Sequence, residues 1–276
     1  MLLSEDLTGK ERKLQKVIAD LAAGKNVFVA FSGGVDSSLL LLETVKTIGH
    51  ERALAVMALS PTAPPDQLIE AQDFTKALNV RLITLETQEC RDPEFRSNGP
   101  ERCYHCKIIR YKAIKRLLLE QPESAVIFDG TQSDDDPSDR PGFKALLELG
   151  IHTPLRDAGL GKKDIRALLK NSGFHKLATK PAQPCLATRI PNGTPITEEL
   201  LDLVRAGENL LRRLGFIQFR LRTHGRWARI ELQGDEFEKI LSDPKIRKII
   251  VDELKKIGYE TISLDLEAYG DAGVTA

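Results

Sequence analysis

Apolar residues recur at helical spacing over residues 8–23, where Leu14, Val17, Ile18 and Leu21 share one face. The next run, NVFVAF at 26–31, is continuous and β-rich, the pattern of a short strand buried on both sides. A polar interruption, SGGVDSS, follows, and helical spacing then resumes to about residue 48. ALAVMAL (53–59) predicts a second strand, PPDQLIEAQDFTKAL (64–78) a helix and VRLITLE (80–86) a third strand. CKIIRYKAIKRLLLE (106–120) continues as helix, AVIFDG (125–130) as a fourth strand and LGKKDIRALLKNSGF (160–174) as a further helix. Strands alternating with helices in this way predict an α/β fold with a doubly wound parallel sheet.

The pattern changes at KPAQPCLATRIPNGTPIT, where four prolines between residues 180 and 196 predict a long ordered connection. Beyond it come a helix (198–215), two strands (216–224 and 226–233), a helical stretch to about 257 and a last strand (259–266). This is a smaller α+β unit. The expected division is therefore 1–190 and 191–276, with the last residues, GDAGVTA, as a frayed tail.

Composition narrows the possibilities. The chain has 276 residues, 41% hydrophobic and 29% charged, enough to bury a core without disulfides. Lys+Arg and Asp+Glu are 40 each, so no global charge draws the protein to nucleic acid or an anionic membrane surface. The first residues carry early acidic positions and no signal-peptide pattern, and no run is long enough to span a bilayer. A cytoplasmic protein is expected, one in which Cys90, Cys103, Cys106 and Cys185 are not a disulfide framework.

FSGGVDSS (31–38) carries the most chemistry. A Gly-rich turn that leaves a buried strand and enters a helix presents free backbone N–H groups and the positive helix end to an anion. Gly33 and Gly34 let a ligand approach the backbone, Val35 opens the helix, and the hydroxyls of Ser32, Ser37 and Ser38 add donors. Asp36 beside phosphates makes sense when it holds Mg²⁺ or orients the loop. A Gly-Gly turn with a serine cap is the plain structural alternative, and the strand–loop–helix context argues against it. The Gly-Lys-Ser/Thr ending of the Walker loop is missing. The stretch instead resembles the pyrophosphate loop of the ATP pyrophosphatases, the PP-loop enzymes that include GMP synthetase, NAD synthetase and the tRNA thiolases. That likeness implies cleavage of ATP between its α- and β-phosphates and transfer of AMP to a substrate.

ERCYHCK (101–107), DGTQSDDDPSDRPG (129–142), TPLRDAGLGKKDIR (153–166), KPAQPCLATRIPNG (180–193) and FRLRTHGRWARIEL (219–232) go further. Together with the loop they resemble the LarE family, the lactate racemase maturation sulfurtransferases that help build the nickel-pincer nucleotide cofactor. The likeness runs over nearly the whole chain. It implies adenylation of a carboxylate of pyridinium-3,5-biscarboxylic acid mononucleotide, then sulfur attack to give a thiocarboxylate, AMP and pyrophosphate, with Mg²⁺ helping pyrophosphate depart. It also implies self-association, commonly as a hexamer. Matching motif to motif, Lys107 would reach substrate or α-phosphate, and Gly130 and Thr131 would line the nucleotide edge. After the strand AVIF, Gly130, Thr131, Asp134 and Asp135 fall at the sheet's carboxyl edge, where ligands of doubly wound folds bind, with a solvated acidic loop as the plain alternative. Asp134 or Asp135 would serve there on the metal or pyrophosphate side, with Asp36. Thr188, Arg189, Glu208 and Glu231 would contact the substrate or position Arg220 and Arg222, which lie two apart on one strand face and can clamp a phosphate or carboxylate.

Two sulfur sources are implied by the same likeness. In one form a single cysteine at the position of Cys185 gives up its own sulfur. In the other, Cys103, Cys106 and Cys185 hold a [4Fe-4S] cluster whose fourth iron is open to an extra sulfide from an unidentified donor. This chain has all three cysteines, the pattern of the second form. From CxxC alone, zinc with His105 or Cys90 as a further ligand, or a redox disulfide, stays open. A tRNA thiolase is a competing enzyme reading, disfavoured by the neutral charge. A non-catalytic nucleotide-binding or cluster-carrier protein is the other, disfavoured by the intact loop and the arginine pair.

Overall fold

The computed structural model describes residues 5–64, 66–120, 124–136, 141–234 and 236–268, so the expected frayed tail lies outside the described residues. In chain order the elements are α1 (Glu5–Ala22), β1 (Asn26–Ala30), α2 (Val35–Ile48), β2 (Ala53–Leu59), α3 (Gln67–Ala77), β3 (Arg81–Glu86), α4 (Pro93–Arg96), α5 (Arg102–Leu119), β4 (Ala125–Phe128) and α6 (Pro141–Glu148). They continue with α7 (Pro154–Asp157), α8 (Lys162–Asn171), α9 (His175–Ala178), α10 (Glu198–Arg213), β5 (Phe219–His224), β6 (Trp227–Leu232), α11 (Glu236–Ser242), α12 (Pro244–Ile257) and β7 (Thr261–Leu264). Short 3-10 turns lie at Glu89–Arg91 and Leu186–Arg189.

Two units result, and the division is not a single cut at residue 190. The first comprises Met1–Ser60, Asp66–Glu89 and Glu101–Gln183, and the second Pro61–Pro65, Cys90–Pro100 and Pro184–Ala276. In the first unit four parallel strands pair in the order β3-β2-β1-β4. Strand side chains alternate between faces, so Val27 and Val29 join a core with Leu14, Ile18, Leu40 and Leu168. Phe28 joins a second core with Tyr111, Ile114 and Leu146. Helices α1, α2 and α8 thus cover one face, and α5 and α6 the other. This is the doubly wound α/β sheet that the alternation predicts. Strand order reverses between β1 and β4, and ligands of such sheets bind in the crevice beyond the strand ends at that switch point.

The second unit has a three-stranded sheet, β5-β6-β7, antiparallel between β5 and β6 and parallel between β6 and β7. Phe219 and Leu221 of β5 pack with Leu210, Leu211 and Leu254 from α10 and α12, and the opposite face is polar. Asn98 fastens the 90–100 segment to this unit. Fully buried and at φ +55°, it donates from Nδ2 to the carbonyls of Ile190 (3.3 Å), Pro191 (2.8 Å) and Thr194 (3.0 Å).

Helix α5 begins at Arg102, four residues before the stretch that hydrophobic spacing marks out. Its polar first turn, RCYH, hides the start. Helices α4, α6, α7 and α9 are also absent from the expectation; pieces this short are held by tertiary packing and have too few turns to show a period. No helix among the described residues is long and apolar enough to cross a membrane.

Candidate nucleotide and substrate sites

In the first unit β1 ends at Ala30 and the loop 31–34 turns into α2. Gly33 takes φ +65°, a conformation that a side chain would strain. Ser37 Oγ lies 3.1 Å from Ser32 Oγ, accepts from Ser32 N at 3.2 Å and donates to Gly34 O at 3.2 Å. These bonds hold the loop from within. Gly34 sits at the N-cap of α2 with no side-chain cap, so the first N–H groups of the helix stay directed at the loop's concavity. Ser38 Oγ is buried with no hydrogen-bond partner among the described residues. From the neighbouring strand end, Gly130 abuts the loop: a Cβ there would lie 3.0 Å from Ser37 N. Gln67 Nε2 donates to Ser32 O at 2.5 Å, joining α3 to the loop. The cradle fits a polyphosphate.

Three lysines converge on this edge. Lys162, the first residue of α8, places Nζ 2.5 Å from both carboxylate oxygens of Asp36. Lys180 Nζ approaches Gly33 O at 3.5 Å and pairs with Glu70. Lys107 Nζ lies 3.3 Å from Asp129 Oδ2, at the carboxyl end of β4. Asp129 also accepts from Tyr111 Oη, from Thr131 N (2.7 Å) and from Thr131 Oγ1. Burial alone would raise the Asp129 pKa, but the Lys107 charge and the bonds from Thr131 and Tyr111 outweigh it and hold the carboxyl below its usual value. Burial, then the charge and hydrogen bond of Asp129, push Tyr111 well above the usual phenol value.

Asp134 turns toward α8, where its Oδ2 accepts from Lys162 N at 2.7 Å, and Asp135 is buried against Gln132, whose N and Nε2 donate to it at 3.0 and 3.1 Å. Asp36, Asp134 and Asp135 are thus all engaged by protein donors. Cys103 and Cys106 stand one turn apart at the start of α5, Cys103 exposed and Cys106 half-buried. None of the four cysteines is in a disulfide. Among the described residues no three His, Cys, Asp or Glu side chains are grouped as a metal site.

Cys185 belongs to the second unit, where it opens the 3-10 turn Leu186–Arg189. Thr188 donates to Cys185 O from N (3.0 Å) and from Oγ1 (2.8 Å), and Leu186 N donates to Thr62 O at 2.8 Å. Arg189 donates to Thr188 Oγ1 at 2.8 Å and pairs with Glu208 at 2.6 Å; both charged groups are buried. Arg212 reaches the other oxygen of Glu208 at 3.0 Å. Arg222 donates to Thr188 O at 3.1 Å and pairs with Glu231 at 2.5 Å, while Arg229 reaches the same Glu231 oxygen at 2.8 Å. Arg220 lies opposite Glu231 in the ladder. Thr188, Arg189, Glu208, Arg222 and Glu231 are thus linked in one hydrogen-bonded network, with Thr188 three residues after Cys185 in the chain. Glu231 Oε2 is buried with no partner among the described residues, in a site where arginines outnumber carboxylates.

Several residues of these sites escape the sequence reading. Asp129 opens the DGT stretch that brings in Gly130 and Thr131, yet its partners come from α5. Lys162 sits inside the GLGKKD stretch, and Lys180 opens the KPAQPC stretch. Arg212 and Arg229 have the one available signal, spacing from Glu208 (i, i+4) and pairing across the ladder with Arg222.

The family model for NAD synthase matches residues 8–97, the part of the chain that contains the loop. The chain is similar to an uncharacterized protein of Synechocystis sp., at 33% identity across 94% of this chain and 95% of the other. It is 29% identical to the pyridinium-3,5-bisthiocarboxylic acid mononucleotide synthase of Lactiplantibacillus plantarum, across 95% of this chain and 92% of that one. An NH(3)-dependent NAD(+) synthetase of Pyrobaculum aerophilum is 26% identical over 60% of this chain and 62% of its own.

Proposed function

The chain belongs to the LarE family of PP-loop proteins, and from that premise we propose that it is an ATP-dependent sulfurtransferase acting on pyridinium-3,5-biscarboxylic acid mononucleotide. The observation that carries the proposal is the placement of Cys185 in the turn whose Thr188 and Arg189 are bonded to Arg222 and Glu208. A sulfur-bearing residue and an anion-binding arginine network share one short stretch. The PP-loop supplies the other half of the reaction in a separate unit.

In the proposed reaction a carboxylate oxygen of the acceptor attacks the α-phosphorus of ATP, and the bond to the β-phosphate bridging oxygen breaks. Pyrophosphate leaves and an acyl adenylate forms. A sulfur nucleophile then adds to the acyl carbon, and AMP departs with the carboxylate oxygen, leaving a thiocarboxylate. Backbone N–H groups at the start of α2 and the ammonium groups of Lys162 and Lys180 receive the phosphate charge. Asp36 would hold Mg²⁺ once its pairing with Lys162 is released to phosphate. Arg222 and Arg229 take the acceptor phosphate.

Three thiols, none tied up in a disulfide, match the donor chemistry of an iron–sulfur cluster. In this proposal Cys103, Cys106 and Cys185 would hold a [4Fe-4S] cluster, which would supply a renewable sulfide. The protein acts in the cytoplasm. The test is anaerobic purification with iron and acid-labile sulfide analysis, together with acceptor-dependent pyrophosphate release. Iron and sulfide bound in the wild type and lost in C185A support the cluster. A colourless, iron-free protein in which Cys185 loses its sulfur during turnover overturns it and leaves the adenylation half standing.

A further inference from the structure

The polar face of the second sheet carries more than the arginine network uses. Along β5, Phe219, Leu221 and Thr223 are buried, while Arg220, Arg222 and His224 lie on the other face. Across the ladder His224 is paired with Trp227 and Arg222 with Arg229; β7 then sets Thr261 beside Trp227 and Ser263 beside Arg229. Trp227, the single tryptophan of the chain, is 45% exposed. It takes no part in the core that its neighbours Ala228 and Ile230 help to build.

The indole is nevertheless fixed. Its Nε1 donates to Ser263 Oγ at 2.8 Å, and its ring centroid lies 5.3 Å from that of His224 at an interplanar angle of 36°. Burial, then the charges of Arg229 and Arg222, hold His224 below the usual imidazole value, while Glu231 acts weakly the other way, so the ring pair is uncharged near neutral pH. Among the described residues, Arg222 donates from Nε to Glu231 and from Nη1 to Thr188 O, and Arg229 from Nη2 to Glu231, while its buried Nε, 3.4 Å from Asp265, makes no hydrogen bond. One terminal nitrogen of each arginine is left for an anion. Two residues along β6 separate Trp227 from Arg229, a rise of about 7 Å. A ribose bridges such a span between an aromatic ring and its 5′-phosphate.

We propose that Trp227, backed by His224, is the platform on which the ring of the acceptor stacks while Arg222 and Arg229 hold its phosphate. The ligand class is a mononucleotide with a cationic aromatic ring, because a cation over an indole face gains the strongest cation–π attraction of any side chain. The inference rests on the acceptor assignment made under the proposed function.

The test uses the full chain and its one tryptophan as reporter. Nicotinic acid mononucleotide, a pyridinium mononucleotide, is titrated against intrinsic tryptophan fluorescence and, in parallel, by calorimetry. Saturable quenching with the same Kd as the heat signal is expected, with ribose 5-phosphate competing but not quenching. W227S should weaken the pyridinium probe about three- to thirty-fold and W227F by less than about threefold, with ribose 5-phosphate affinity unchanged in both. Heat of binding without saturable quenching, or an unchanged Kd in W227S, overturns the platform alone. No heat from the pyridinium probe, in a protein that still binds ATP, overturns the acceptor assignment and the platform with it.

Discussion

Replacing Asp129 by asparagine tests the polar knot that ties α5 to the nucleotide edge of the first sheet. The carboxylate accepts from Thr131 N, Thr131 Oγ1, Tyr111 Oη and Lys107 Nζ, so both oxygens are fully used. Asparagine keeps one acceptor oxygen and turns an NH₂ group toward donors, and Lys107 loses its counter-ion. Hydrogen bonds to a charged group contribute about 1.5–3 kcal/mol, and removing one partner of a buried ion pair costs about 3–5 kcal/mol. Asp129 is 13% exposed and Lys107 30%, which lowers the second figure. We expect D129N to lose about 2–4 kcal/mol in urea unfolding followed by circular dichroism at neutral pH. The pH dependence follows from the lowered pKa. The contribution of Asp129 is complete above the unfolded carboxylate value, roughly pH 4, and is lost as pH falls through the lower folded value. The gap between wild type and D129N should therefore close in that acid range. A loss below about 0.5 kcal/mol at neutral pH, or a gap that does not narrow in acid, would show that Asp129 does not hold α5 in this way.

G130A should raise the KM for ATP, since its Cβ would press on the backbone of Ser37 at 3.0 and 3.2 Å; relief by displacement of the loop costs about 1–3 kcal/mol, read in acceptor-dependent pyrophosphate release. R222A removes the bonds to Thr188 O and Glu231. It should lower kcat/KM for the acceptor about 10- to 100-fold while leaving the KM for ATP in place; equal effects on both substrates would contradict the assignment. N98A takes the donor from three carbonyls and puts alanine at φ +55°. We expect about 1–3 kcal/mol of lost stability, and N98G, which relieves the backbone but not the carbonyls, should recover only a small part of it.

Legibility in the sequence divides along the range of the interactions. The strand NVFVA, its loop and α2 are contiguous, so composition and period alone locate the phosphate cradle. Arg220 and Arg222 are two apart on one strand, and strand period puts them on one face. Asp129 is different: Lys107 and Tyr111 lie about twenty residues earlier, and only the packing of α5 against the face of β4 brings them to it. Segment 90–100 shows no mark of the second unit, because the contacts of Asn98 lie more than ninety residues further along. Trp227 gives an ambiguous signal, since a lone aromatic at a strand start reads equally as core; the register with His224 and Thr261 decides its face.

In the proposed reaction sulfur replaces an activated carboxylate oxygen, and Cys185 is required. The most direct measurement is mass spectrometry of pyridinium-3,5-biscarboxylic acid mononucleotide after anaerobic incubation with the protein, ATP, Mg²⁺ and sulfide. A thiocarboxylate product is expected, formed with one AMP and one pyrophosphate for each sulfur gained, and none of it with C185A although that variant still releases pyrophosphate. Release of AMP and pyrophosphate with the acceptor returned unthiolated by the wild type, or thiolation undiminished in C185A, contradicts the proposed reaction.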